Sequence, residues 1–177
     1  MKKFTLPAFK KELAKKKKED LIKEISSLCQ LFPQVKEYYK SQYGDPSDIL
    51  KKYIDIIEKE FVEGKTRGMP KARISVAKKA VNDFKKLISD AHLVVDVMLT
   101  FAECISNFND EFGVDEEEYY TEPEDMFEEA LQLINKNGLT KKFEVRAYDL
   151  VDRATESWGH FDSLKERYEE IYGDFIR

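Results

Sequence analysis

Apolar side chains recur every three or four residues along almost the whole chain. Val94, Val97, Phe101, Ile105, Phe108 and Phe112 form one such series, and Phe161, Leu164, Tyr168, Ile171 and Phe175 another. That period places a set of side chains on one face of an α-helix. The same stepping appears in Leu21, Ile22, Ile25, Leu28, Cys29 and Phe32, and again in Ile49, Leu50, Tyr53, Ile54, Ile57 and Phe61.

Helix punctuation sets the boundaries. Thr5 can cap a short helix carrying Leu6, Phe9 and Leu13. Pro33 ends one helix and opens the next, which stops at Gly44. Asp45-Pro46-Ser47-Asp48 is a helix start, and Gly64 suits its C-terminal cap. A basic loop from Gly64 to Pro70 precedes a helix from about Lys71 to Ser89, with Ile74, Ala77, Val81, Phe84 and Ile88 inward. Ser89 or Asp90 can cap the helix that follows, which runs to Gly113. Val114 to Tyr120 reads as a mobile acidic connection, and Thr121-Glu122-Pro123-Glu124 as the capping box that opens the next helix. A helix from Thr140 is expected to run to Trp158, with Trp158 and Ala154 facing inward. A last helix spans Asp162 to about Tyr172.

The expected fold is all-α: an irregular orthogonal bundle of about eight amphipathic helices, with a short stack of helix hairpins as the alternative. A single helical domain over 1–177 is expected, residues 1–44 forming a helical N-terminal piece packed on 45–177.

Charge changes this picture from uniform to segregated. Charged residues make up 37% of the chain, the net charge is −5, and the pI is near 5.3. Residues 1–18 carry eight lysines and one acid, residues 65–86 eight bases and one acid, and residues 109–129 eleven acids and no base. Such blocks attract partners of opposite sign, or each other. The two cysteines supply neither a disulfide framework nor metal-ligand spacing, and Cys29 sits on an apolar stripe as a core residue. No leader-like apolar run follows the N-terminal lysines, and no stretch reads as the ~20 apolar residues of a membrane span. A reducing cytoplasm is the expected setting.

Three stretches carry a resemblance: Lys11-Glu12-Leu13-Ala14 through Ile25, Phe32-Pro33-Gln34-Val35-Lys36-Glu37-Tyr38, and Phe108-Asn109-Asp110-Glu111-Phe112-Gly113. In these the chain resembles a family of uncharacterised bacterial helical proteins, a domain-of-unknown-function family. The resemblance implies an α-helical fold over most of the chain and no established activity, so it assigns no catalytic residue.

Four groups of residues are candidates for chemistry. His92, Asp96, Glu103 and Asp110 fall within about 40° of one line down a helix. His and carboxylate one turn apart can chelate a divalent ion if a facing helix completes the set. Val95 and Leu99 lie near the same face, which would half-bury the stripe; a solvated polar face is the plainer reading. Lys71, Lys78 and Lys85 sit one heptad apart with Lys79 and Lys86 beside them, and Arg67 and Arg73 extend the row. It could track successive phosphates of a nucleic acid, but the acidic pI and the lack of interleaved aromatics weigh against that, and pairing with the chain's own acids competes. Arg153 and His160, with six residues between them, resemble the motif of small all-helical ribonucleases of the HEPN type, in which His moves protons and Arg stabilises phosphate charge. The acidic run from Asp110 to Glu129 lacks the spacing of a calcium loop.

No Walker loop, GxGxxG, HExxH, CxxC or GxSxG occurs. No cofactor is implied. The leading expectation is therefore a binding module, with a nucleic-acid-associated protein or a metal-dependent or HEPN-like ribonuclease as the alternative. The module would join another protein, or a second copy as a homodimer, through an acidic patch near Asp115–Glu129 and a basic one near Lys65–Lys86.

Overall fold

A computed structural model describes residues 3–62 and 68–177. Among these residues are nine α-helices and no strand, an all-α bundle as the periodicity predicts. The chain divides into two compact units, residues 1–45 and 46–177.

The first unit holds α1 (Leu6–Leu13), α2 (Lys18–Leu31) and α3 (Pro33–Tyr43). Thr5 Oγ1 accepts the Ala8 N–H at 3.4 Å, the expected cap. Pro33, at the first position of α3, needs no intrahelical donor there. None of the apolar side chains of these helices is buried, and Cys29 is only half-buried. The expectation that Cys29 is a core residue is not met: α2 and α3 pack together but leave its side chain half-buried.

The second unit contains α4 (Pro46–Phe61), α5 (Ile74–Leu87), α6 (Ala91–Phe112), α7 (Glu118–Lys136), α8 (Thr140–Asp152) and α9 (His160–Tyr172), with a 3₁₀ turn at Ser157–Gly159. Its centre is α6, which packs against α4, α5, α7 and α8. Val95, Val97, Met98, Leu99, Phe101, Ala102 and Ile105 are wholly buried. Asp90 caps it by accepting the His92 N–H at 2.9 Å, and Gly113 ends it in the left-handed conformation (φ 61°). Its 22 residues are long and apolar enough to cross a membrane by length and composition, which corrects the reading that no stretch is. Some 67% of that apolar window is buried inside the fold, as it is in the core helix of a soluble protein.

Three boundaries move. α7 begins at Glu118, a turn before the expected cap at Thr121, and runs through Pro123. Proline cannot donate to the carbonyl four residues back, that of Tyr119. Asn109 of α6 donates its Nδ2–H to that carbonyl at 2.5 Å, so the helix continues across the proline. Tyr120 and Tyr119 then pin the supposedly mobile connection: their hydroxyls donate to the carbonyls of Val114 (2.6 Å) and Ala72 (2.8 Å).

At the other end, α8 stops at Asp152, well short of Trp158. Trp158 and Gly159 both take positive φ (56° and 68°), and Trp158 is 58% exposed rather than inward. This turn reverses the chain, and α9 therefore starts at His160, two residues before the expected start.

Phe101 has no exposed surface and lies midway along the central helix. Phe101→Ala is expected to destabilise the protein by about 3–5 kcal/mol, through lost burial and a residual cavity. Chemical denaturation with matched m-values checks this.

Candidate functional site

The basic row on α5 meets acids of the same chain. Lys78 donates to both oxygens of Glu122 (2.8 and 2.6 Å), and Lys85 pairs with Glu129. Both lysines and both acids are seven residues apart, so two turns of α5 lie in register with two turns of α7. Lys79 and Lys86 share Asp83, whose carboxyl is held below its usual range chiefly by those two hydrogen bonds. Arg73 binds Glu60 with two hydrogen bonds of 2.8 and 2.6 Å. Lys71 is exposed, and Lys65, Gly64 and Arg67 lie outside the described residues. Five of the seven bases singled out in the sequence thus hold acids of this chain.

The polar stripe on α6 meets a cation from α8. Arg146 donates to both oxygens of Glu103 (2.7 Å each), to Asp96 (2.9 Å) and to Thr100 Oγ1 (2.9 Å). His92 stands 3.7 Å from Asp96 and tilts against Phe143, while Asp110 is exposed. Asp96 and Glu103 come together around a guanidinium, and no cluster of three or more metal-type ligands occurs among the described residues. Cys104 is buried beside them; burial pushes its thiol up to about 12, far from a reactive thiolate.

Behind this stripe lies a buried network that sequence reasoning missed. His160 has no exposed surface. Its Nδ1 is 2.7 Å from Glu124 Oε1 on α7, and its Nε2 is 3.1 Å from Ser106 Oγ on α6. Ser163 donates to the other Glu124 oxygen at 2.6 Å, and Tyr120 packs edge-on against the imidazole. The only signal for Ser106 was a hydroxyl lying off the polar stripe of its helix.

Ser106 also lines a pocket of about 210 Å³ with Glu103, Asn107, Arg146, Asp149, Leu150 and Arg153. Arg153 lines this pocket, whereas His160 is connected to it only through its contact with Ser106. They do not meet, because Arg153 is exposed at the end of α8 while His160 lies behind Ser106.

The N-terminal unit offers a different surface. Phe4, Leu6, Ile22, Leu31 and Phe32 are between 50% and 75% exposed. Residues 1–45 carry eleven lysines against six acids, whereas the remaining residues carry 19 bases against 29 acids.

Two outcomes follow from the ion pairs. Arg146→Met strands Asp96 and Glu103 half-buried, and should cost about 1–3 kcal/mol of unfolding free energy. Glu60 is 4% exposed, and its hydrogen bond to Arg73 is the main cause holding its carboxyl below the ordinary value. A carboxyl depressed by folding stabilises the protein above its unfolded pKa, near 4.3, and loses that contribution as pH falls through the folded value. Arg73→Met should therefore be less stable than the parent at pH 7, and the gap should close as both are titrated to pH 3 in denaturant melts.

No curated protein and no solved structure matches the chain. The helical pattern, the connecting motifs and the coverage agree with a single assignment: residues 4–175 match the family of unknown function DUF6155, to which this chain belongs.

Proposed function

We propose that the protein works by binding another protein, using the apolar and basic face of residues 3–45. One observation carries this reading: α1, α2 and α3 bury no hydrophobic side chain, although each has an apolar stripe. Helices this short gain most of their stability by packing an apolar face, not from propensity. A folded unit of about 45 residues without a core is marginal unless another surface covers it. Exposed apolar patches of this kind mark interaction sites.

The charge balance supports the choice of partner. The unit carries an excess of lysine, so the surface that covers it should be acidic. A second copy of this chain supplies one, since residues 46–177 carry the excess of acid. The exchange would be reciprocal, giving a closed two-fold dimer. The free cysteines Cys29 and Cys104 suit a reducing compartment such as the cytoplasm. The paired state of Lys78, Lys79, Lys85, Lys86 and Arg73 argues against nucleic acid as the partner.

Sedimentation velocity of the full chain tests the proposal, from micromolar to hundreds of micromolar at low and high salt. A dimer is expected that weakens with salt, through screening of the charge contribution. Ile22→Asp with Leu31→Asp should shift it to monomer without altering the helical circular dichroism of the rest. A monomer at every concentration in low salt, or a dimer untouched by the double substitution, would overturn the reading.

A further inference from the structure

Ser106, His160 and Glu124 come from α6, α9 and α7 and stand in the order hydroxyl, imidazole, carboxylate. The carboxylate is fixed on both oxygens, by His160 Nδ1 and by Ser163 Oγ. Ser163 is itself held by Arg167, which donates to its carbonyl at 2.9 Å. A carboxylate accepting from Nδ1–H leaves the lone pair of neutral imidazole on Nε2, facing the Ser106 hydroxyl. That is the arrangement by which a serine is activated on unrelated folds, recognised by geometry and role and not by chain order.

The pocket gives the hydroxyl somewhere to act. A buried histidine that merely needed partners could be satisfied by any two polar groups inside the core. Here the outer partner, Ser106, is itself part of a pocket wall. Arg146 on that wall is engaged by Glu103 and Asp96. Arg153 and Asn107 are exposed and can donate toward a negative oxygen, and Leu150 supplies an apolar surface.

The geometry points to a serine acyl-transfer centre acting on a small carboxylic ester, with Ser106 as nucleophile, His160 as proton carrier and Arg153 as the donor to the oxyanion. Ser106 Oγ forms a bond to the ester carbonyl carbon as its proton passes to His160 Nε2. The carbonyl oxygen becomes the oxyanion beside Arg153. The bond to the alcohol oxygen then breaks, and the alcohol leaves with the proton from His160. Water, deprotonated by the same nitrogen, attacks the acyl-serine, releasing the acid and restoring the hydroxyl. Glu124 is a positioning residue: it orients the imidazole and offsets the charge that develops on it. The pocket volume limits the acyl group to a short one.

The test uses the full chain, a fluorophosphonate probe and p-nitrophenyl acetate. The parent protein is expected to gain one phosphonyl adduct with loss of fluoride, located on Ser106 by peptide mapping. It should also hydrolyse the ester faster than Ser106→Ala. Arg153 is exposed, so Arg153→Met should fold normally and slow acylation about 100-fold. His160→Gln should abolish the adduct on Ser106. Circular dichroism and a thermal melt establish that Ser106→Ala and Arg153→Met are folded. Should the folded parent protein take no adduct on Ser106 and hydrolyse the ester no faster than Ser106→Ala, the network is a satisfied core histidine and the proposal is overturned.

Discussion

Everything in residues 46–177 depends on enclosing α6. A 22-residue helix with thirteen buried positions leaves little room for an unpaired polar group. Burying one without a partner costs more than a hydrogen bond returns. Most buried polar atoms on α6 are met accordingly, Asn109 Oδ1 being the exception. Thr100 Oγ1 bonds back to the Asp96 carbonyl, Asn109 reaches the carbonyl that Pro123 leaves open, and Asp96 and Glu103 close on Arg146. Ser106 meets His160. Apolar packing has no preferred direction, but these contacts do. Asn109 fixes the entry of α7, Arg146 fixes α8, and His160 fixes the start of α9. The polar interruptions of the central helix are what give its neighbours a single register.

The apolar period made the helices legible, and Pro, Gly and Asp marked most of their ends. What it could not show was which helix a polar residue would meet. Arg146 lies 43 residues from Glu103, and His160 lies 54 from Ser106. No local spacing encodes such pairs, so the α6 stripe read as a metal set when a guanidinium from α8 sits within it. The errors at Trp158 and Pro123 share one cause. A local rule places Pro near a helix start and an aromatic on the inner face. A tertiary contact overrides the first, and a left-handed turn at Trp158 and Gly159 overrides the second.

The N-terminal helices carry the same kind of stripe as α4 or α5, with a different result. Ile57 and Val81 have no exposed surface, while Ile22 and Leu31 are 53% and 70% exposed. Amphipathicity specifies a face to be covered and leaves open what covers it. In α4 and α5 that is α6. In α1–α3 no apolar side chain is fully buried, and the lysine excess narrows the chemistry of whatever covers them.

Arg153 and His160 show how far a spacing motif can carry an argument about mechanism. Six residues separate them, and only Arg153 lines the pocket, His160 standing behind Ser106. A phosphate-cleaving role requires the imidazole itself to reach the substrate. His160 cannot, because the turn at Trp158 and Gly159 leads it into the interior, where Glu124 and Ser106 take both ring nitrogens. A proton could pass between this imidazole and the pocket only through the Ser106 hydroxyl. The reacting atom at the pocket wall would then be a serine oxygen, and the chemistry open to it is nucleophilic substitution at an acyl carbon instead of direct proton transfer to a phosphodiester.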